Sequence, residues 1–247
     1  MNSIENIVKS NTETYKSKKY LFIENKSSDR LLIILSPHNQ GDNFSWKKYL
    51  IYNEVANLLY LNNPDDNYYD YCDNHKEYVE IIRHYISKFY RKDCFIMGSS
   101  MSGTVAIRIG IELDLNVISF APQVSFNETV EFATVSFPNN PKVKLIGDIR
   151  KIKESGCWVD LDKYISSNQK HIPPIYLSFN HLRFDTRNAY NLINSLMKVA
   201  NGKMIVNHSE SSSHGFSIFS KEDAISLVNI MNILSIFREN KFSWEYR

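Results

Sequence analysis

The chain has 247 residues, 43% of them hydrophobic and 13% aromatic, and its formal net charge is +2. These values predict one domain with a sizeable apolar core, and the small net charge argues against a nucleic-acid-binding protein. No apolar run approaches the roughly 18 residues that a membrane-spanning helix needs, so we predict no transmembrane segment.

The N-terminal residues 1–20 lack an apolar stretch followed by a small-residue cleavage site, which is the pattern of a signal peptide. We therefore predict a cytoplasmic location, compatible with peripheral association at the inner face of the membrane. The three cysteines, Cys72, Cys94 and Cys157, show no metal-type spacing. We predict that all three are reduced thiols, and that the protein binds no metal and holds no permanent cofactor.

Strand-like and helix-like segments alternate along the chain. Runs of apolar β-forming residues predict strands at 20–24, 31–36, 57–62, 94–98, 117–122, 174–179 and 203–207. Longer segments predict helices at 76–92, 102–113 and 221–237. Several strands are continuously apolar, so both faces of the sheet are expected to be covered. The alternation predicts an α/β fold with a mostly parallel sheet and helices on both faces.

One segment, 126–170, does not follow this alternation. It contains the sequence FPNNP, which is typical of loops. We predict that it is an insertion lying over the carboxyl end of the sheet, within a single domain that spans 1–247.

The sequence GSSMSG at 98–103 follows a predicted strand and opens a predicted helix. It is similar to the G-x-S-x-G pattern of a nucleophile elbow, in which a serine occupies a tight strand-to-helix turn. Ser100 takes the nucleophile position, while Ser102 replaces the last glycine of the pattern and Gly103 follows it. The backbone N–H of Met101 is predicted to contribute to an oxyanion hole. The alternative is an ordinary turn in which the serine caps the helix.

A serine nucleophile needs a general base and an acid that orients the base, in the chain order serine, acid, histidine for this pattern. We predict Asp185 as the acid and His214, in the small-residue loop SSSHGF, as the base. Each follows a predicted strand, at the sheet edge where open α/β folds collect their sites. His208 is the rival base, and Asp148 and Glu210 are the rival acids.

The loop after the strand at 31–36 is expected to supply the second oxyanion donor. The backbone N–H of His38 or Asn39 is the candidate, and the imidazole of His38 could equally contact substrate. A loop without a chemical role, turned by Pro37 and Gly41, is the alternative.

A cluster of basic residues lies inside the segment 126–170. Its members are Lys142, Lys144, Arg150, Lys151 and Lys153. They form a candidate binding face for an anionic ligand, and a solvated charged surface is the alternative.

The sequences GSSMSG, VISFAPQVSF and SSSHGFSIF resemble those of the α/β-hydrolase-fold O-acetyltransferases that modify bacterial capsular polysaccharides, the meningococcal serogroup A capsule among them. The resemblance covers nearly the whole chain. It implies the α/β-hydrolase fold and a triad of Ser100, Asp185 and His214. It also implies acetyl-CoA as the acetyl donor and an anionic, phosphate-linked capsular polysaccharide as the acceptor. The acceptor units would be N-acetylmannosamine 1-phosphate, modified at O3 or O4.

The same resemblance suggests that the basic cluster holds the anionic polymer and CoA. Association with the capsule machinery and a homo-oligomeric state are compatible with it. Two other functions stay open. A carboxylesterase or polysaccharide deacetylase would use the same triad with water as acceptor, and both chemistries pass through an acyl-enzyme. A non-catalytic component of a surface-glycan secretion system is disfavoured, because all three triad residue types are present.

Overall fold

The structure is a computed structural model that describes residues 3–37, 40–62, 72–136, 150–167, 171–199, 203–211, 214 and 220–239. Within these residues the strands are β1 (Thr12–Tyr15), β2 (Lys18–Ile23), β3 (Leu31–Leu35), β4 (Asn57–Leu61), β5 (Cys94–Ser99), β6 (Asn116–Phe120), β7 (Ile175–Asn180) and β8 (Met204–Ser209). They form one sheet in the order β1-β2-β4-β3-β5-β6-β7-β8. β2 pairs antiparallel with β1 and β4, and the other pairs are parallel.

Helices pack on both faces of this sheet. They are α1 (Ile4–Asn11), α2 (Lys47–Tyr52), α3 (Asp73–Ile86), α4 (Met101–Leu113), α5 (Phe126–Ser136), α6 (150–154), α7 (Leu161–Ser167), α8 (Arg183–Met197) and α9 (Lys221–Glu239). A 3₁₀ turn, Arg91–Asp93, leads into β5.

The central strands, β3 to β6, are buried along their whole length because each sends alternate side chains into two separate cores. In β3, Leu31, Ile33 and Leu35 pack in the core that contains α3, α4, α7 and α8. Leu32 and Ile34 pack in the other core, with α2 and α9. All five side chains are completely buried. The predicted mostly parallel sheet with helices on both faces is therefore confirmed.

The predicted strands correspond to β2 through β8, and β1 is the strand that the sequence pattern does not predict. Its sequence, TETY, is largely exposed at the edge of the sheet, so it lacks the apolar run that identifies the others. The predicted helix at 76–92 ends earlier, at Ile86, because the chain turns there and forms the 3₁₀ turn before β5.

The segment 126–170 connects β6 to β7 and contains α5, α6 and α7. The start of α5 is attached to the loop before α7, because the Phe126 N–H and Trp158 Nε1–H both donate to Asp160 Oδ1, at 2.9 and 2.8 Å. Burial opposes ionisation of Asp160, but these donors hold the pKa of its carboxyl below the ordinary value. Residues 137–149 and 168–170 of the predicted insertion lie outside the described residues.

Cys72 and Cys157 form a disulfide, so the prediction of three reduced thiols is wrong for this pair. The two cysteines are 85 residues apart in sequence, and only the fold brings the residue before α3 next to the residues after α6. Cys94 is a buried free thiol, as predicted, and burial raises its pKa to about 12.

Disulfides are rare in reducing compartments, so the Cys72–Cys157 bond offers no support for the predicted cytoplasmic location. None of the described helices is long and apolar enough to cross a membrane.

Removing the disulfide is expected to destabilise the fold. The double variant Cys72→Ser/Cys157→Ser should lose about 2–5 kcal/mol of unfolding free energy, because the cross-link restricts the unfolded chain. Urea denaturation measures this loss. Thiol titration of the denatured protein should find one thiol without reductant and three after reduction. Three thiols without reductant would contradict the bond.

Candidate active site

Ser100 lies in the turn between β5 and α4, in a backbone conformation that non-glycine residues rarely adopt. Its φ is +57° and its ψ is −123°, a strain of about 1–3 kcal/mol that persists only where the surroundings impose it. The Ser100 N–H donates to the carbonyl of Phe120 on β6 at 2.8 Å, and the Ser100 carbonyl accepts from Thr104 at 3.2 Å. The serine side chain makes no capping bond to the helix, so the alternative of a serine N-cap is wrong.

Gly98 and Gly103 make this turn possible because no side chain fits at either position. A Cβ atom on Gly98 would lie 2.2 Å from the carbonyl oxygen of Ser102. A Cβ atom on Gly103 would lie 2.9 Å from Ser119 Oγ and 3.0 Å from the carbonyl oxygen of Phe120. The spacing of the two glycines in GSSMSG thus follows from the close approach of strand, turn and helix.

Ser102, which replaces the last glycine of the sequence pattern, is completely buried. Its Oγ accepts a hydrogen bond from the Ser99 N–H at 2.9 Å and donates to the Ser99 carbonyl at 3.0 Å. The serine therefore satisfies both of its hydrogen-bonding roles inside the turn. A serine at this position is therefore compatible with the tight turn between β5 and α4.

The structure brings Ser100, His214 and Asp185 into one hydrogen-bonded series. Ser100 Oγ lies 2.7 Å from His214 Nε2, and His214 Nδ1 lies 2.5 Å from Asp185 Oδ1. The Asp185 side chain is completely buried, whereas about a fifth of the His214 side chain is exposed. A hydroxyl within reach of an imidazole that a carboxylate orients is the arrangement that activates a serine nucleophile.

Asp185 lies in the first turn of α8 rather than in a loop after β7. Its second oxygen, Oδ2, is buried and has no hydrogen-bond partner among the described residues. The segment before α8 is attached to the segment that carries the histidine, because the His181 N–H donates to the Ser211 carbonyl at 2.8 Å. This bond joins the chain after β7 to the chain after β8, and so brings acid and base together.

The rival residues lie elsewhere. His208 is exposed on β8, where its ring stacks on Phe179 with centroids 4.8 Å apart. Glu210 is exposed just after the same strand. Asp148 lies outside the described residues.

Of the predicted oxyanion-hole donors, the structure describes Met101. It is the first residue of α4, and its backbone N–H belongs to the helical turn whose N–H groups have no acceptor within the helix. His38 and Asn39 lie outside the described residues. Pro37, just before them, follows β3, and the Ser36 N–H is bonded to the Leu61 carbonyl at 3.1 Å.

A cleft of about 270 Å³ between α5 and the start of α8 adjoins His214. It is lined by Glu128, Glu131, Phe132, Leu182, Arg183, Phe184 and Arg187. The rings of Phe132 and Phe184 stack with centroids 4.1 Å apart, and they lie 5.1 and 5.5 Å from the His214 ring. The sequence does not identify this cleft, because aromatic residues on helices are typical of ordinary core packing.

Three residues of the basic cluster, Arg150, Lys151 and Lys153, are exposed on α6. Lys153 Nζ lies 5.3 Å from the ring centroid of Phe126, at the start of α5. Lys142 and Lys144 lie outside the described residues. Across the part of the chain that is described, no group of three or more His, Cys, Asp or Glu residues could hold a metal ion.

The mostly parallel sheet, with the strained serine turn directly after β5, is that of the α/β-hydrolase fold. The capsule O-acetyltransferase of Neisseria meningitidis serogroup A is similar in structure, with a TM-score of 0.61 and 16% identity over 96% of this chain and 100% of that chain. An esterase of Pyrococcus furiosus has a TM-score of 0.60 and 14% identity over 92% and 88% of the two chains. An esterase/lipase from an uncultured bacterium has a TM-score of 0.59 and 10% identity over 97% and 93%. At these identities the likeness is one of fold. Neither a protein-family model nor a curated protein sequence matches the chain.

Proposed function

We propose that this protein is a serine acyltransferase that moves an acetyl group from acetyl-CoA to a sugar hydroxyl of a capsular polysaccharide. The observation that carries the proposal is the hydrogen-bonded series of Ser100, His214 and Asp185 at a strained turn. A buried carboxylate and a strained serine both cost stability. A protein that had no use for nucleophilic catalysis would gain nothing from keeping them together, which disfavours a non-catalytic role.

In the first half of the reaction, Ser100 Oγ attacks the thioester carbonyl while its proton passes to His214 Nε2. Asp185 stabilises the imidazolium that forms. The N–H of Met101, with a second donor from His38 or Asn39, would stabilise the oxyanion. The C–S bond then breaks, the imidazolium returns its proton to the departing sulfur, and CoA leaves as a thiol. The acetyl group remains as an ester on Ser100.

In the second half, a sugar hydroxyl gives its proton to His214 and its oxygen bonds to the acetyl carbon. The bond between that carbon and Ser100 Oγ breaks, and the serine recovers a proton from the imidazolium. Water in place of the sugar would make the protein an esterase. Transfer exceeds hydrolysis when the hydroxyl is held against the acetyl-enzyme, since positioning can raise its effective concentration far above that of free solutes.

The choice of acetyl-CoA as donor and of a capsular polysaccharide as acceptor is supported by similarity to other proteins. A variant of the meningococcal capsule O-acetyltransferase, 16% identical over 94% of this chain with a TM-score of 0.58, has been solved in complex with CoA. The sequence resemblance supports a polymer of N-acetylmannosamine 1-phosphate, modified at O3 or O4, as the acceptor. A carboxylesterase or polysaccharide deacetylase is the second candidate, because esterases share this fold.

The proposal is tested with purified protein and labelled acetyl-CoA. Mass spectrometry of the quenched reaction should find one added acetyl group on the peptide that contains Ser100. With a phosphate-linked glycan present, label should appear in the glycan in excess of free acetate. Free acetate alone, at an unchanged rate with glycan, would make the protein an esterase. Failure of both acetyl-CoA and aryl acetates to label the protein would refute the serine mechanism.

If α6 binds an anionic polymer, transfer to that polymer should weaken with salt. Exposed charge contacts are screened within about 8 Å at physiological ionic strength, so the KM for polymer should rise with added salt. The variant Lys151→Glu/Lys153→Glu should raise the same KM further. Reversal of two other exposed lysines, Lys9 and Lys26, is the matched control. Equal effects of the two double variants would assign α6 to an ordinary solvated surface.

A further inference from the structure

The cleft between α5 and α8 is next to the proposed general base. Two of its lining residues, Phe132 and Phe184, have ring centroids 5.1 and 5.5 Å from the His214 ring. In the second half of the proposed reaction, His214 takes a proton from the attacking hydroxyl. The cleft is therefore a candidate position for the group that presents that hydroxyl.

The wall of the cleft nearest to His214 is apolar. The rings of Phe132 and Phe184 stack nearly parallel, at an interplanar angle of 11°, and Leu182 adds a third apolar side chain. Aromatic faces carry a partial negative charge, which attracts weakly positive hydrogen atoms. The C–H groups on one face of a sugar ring suit such a wall.

The same cleft contains a largely buried carboxylate. Glu128 Oε1 accepts a hydrogen bond from Asn191 and forms an ion pair with Arg187, both at 3.2 Å. Its other oxygen, Oε2, is shielded from solvent and has no hydrogen-bond donor within the described part of the chain. Such an oxygen carries a desolvation cost that one hydroxyl donor would offset. The terminal torsion of a glutamate is soft, so a hydroxyl in the cleft can draw Oε2 toward it in exchange for the Asn191 hydrogen bond of Oε1.

The charges that line the cleft are balanced. Arg187 pairs with Glu128 at 3.2 Å and with Glu131 at 3.3 Å, and Arg183 is the second base. Two acids and two bases give no attraction for a phosphate or a carboxylate, unlike the exposed bases of α6. The volume, about 270 Å³, is below the roughly 300–1,000 Å³ typical of pockets for drug-sized ligands. This volume suits a single sugar ring better than it suits a nucleotide such as that of CoA.

We infer that this cleft is the acceptor subsite, and that it binds one uncharged sugar ring with a hydroxyl donating to Glu128. The inference rests on the proposed function and narrows it. The phosphate groups of a phosphate-linked polymer would lie outside the cleft. Another hydroxyl of the same ring would give its proton to His214 and bond to the acetyl carbon, while the Ser100 ester bond breaks.

The test begins with the unmodified protein, acylated by p-nitrophenyl acetate. The probes are neutral methyl hexosides, including those of mannose, glucose, galactose and N-acetylmannosamine, and the matching methyl hexuronides. The readouts are acetylated sugar and free acetate. We expect at least one neutral hexoside to receive acetyl groups. Its hexuronide should receive them about tenfold less well, because the balanced charges of the cleft do not offset the cost of desolvating the added carboxylate.

Two variants test the contacts themselves. Glu128→Gln should raise the half-saturating concentration of the neutral hexoside about tenfold, the scale of a lost hydrogen bond to a charged group. It should also shift the partition of the acetyl-enzyme from sugar toward water. Phe132→Leu should shift the partition in the same direction, because it removes the aromatic wall. Glu222→Gln, an exposed carboxylate on α9, is the control and should leave the partition unchanged.

The outcomes separate the cleft from the proposed function. If no acetyl-enzyme forms, both are overturned. If an acetyl-enzyme forms but no neutral hexoside accepts its acetyl group, or hexuronides accept it equally well, the assignment of the cleft is wrong and the serine mechanism stands. The assignment is also wrong if a hexoside is acetylated and Glu128→Gln leaves its half-saturating concentration and the partition unchanged.

Discussion

Replacing Ser100 with alanine is expected to lower the rate of acetyl transfer by about 10⁶-fold, the scale seen when a serine enzyme loses its nucleophile. Among the described residues, Ser100 Oγ is the hydrogen-bonding partner of His214 Nε2, at 2.7 Å. Without that oxygen no covalent acetyl-enzyme can form. The rate of label transfer from acetyl-CoA and the p-nitrophenol burst from p-nitrophenyl acetate both measure the loss.

The Ser100→Ala protein should fold normally, because alanine also carries a Cβ atom and meets the same backbone strain at φ +57°. An unchanged melting temperature would show this. Ser99→Ala, one residue earlier, is the matched control and should keep most of the activity. A Ser100→Ala protein with near-normal turnover would contradict the mechanism, and loss of activity in Ser99→Ala alone would move the nucleophile by one residue.

Asp185→Asn is expected to lower the turnover number by about 10⁴-fold, as the equivalent change does in a serine protease. The buried carboxylate accepts a hydrogen bond from His214 Nδ1–H at 2.5 Å, which leaves Nε2 free to accept the serine proton. An amide in the same place can donate to Nδ1 and favour the wrong tautomer. It also removes the charge that stabilises the imidazolium. Steady-state kinetics with an aryl acetate measures the effect.

Two controls accompany this variant. Glu210→Gln alters the exposed rival acid and should leave the turnover number unchanged. His208→Ala alters the rival base, whose ring stacks on Phe179, and should likewise leave it unchanged. Near-normal turnover of Asp185→Asn would remove Asp185 from the mechanism and make Asp148 the next candidate for the acid.

The strands and the serine turn could be predicted from the sequence, because each leaves a recognisable pattern within one short segment. Continuous apolar runs such as β3 appear wherever a strand is covered on both faces. The elbow needs small residues within a few positions of Ser100, so Gly98 and Gly103 mark it in the sequence. Even Ser102, which departs from the pattern, bonds to a residue only three positions away.

Contacts between residues that are far apart in sequence are seen only in the tertiary structure. Local sequence does not decide among three candidate acids and two candidate histidines, and what singles out Asp185 and His214 is their contact across the ends of β7 and β8. Their catalytic role stays a prediction until the variants are measured. The Cys72–Cys157 bond joins positions 85 residues apart, so no local spacing indicates it. The cleft beside His214 arises in the same way, because α5 and α8 supply its walls and neither helix alone shows a site. The local sequence pattern reflects which side chains of a segment are buried. Which segments come into contact depends on how the whole chain folds.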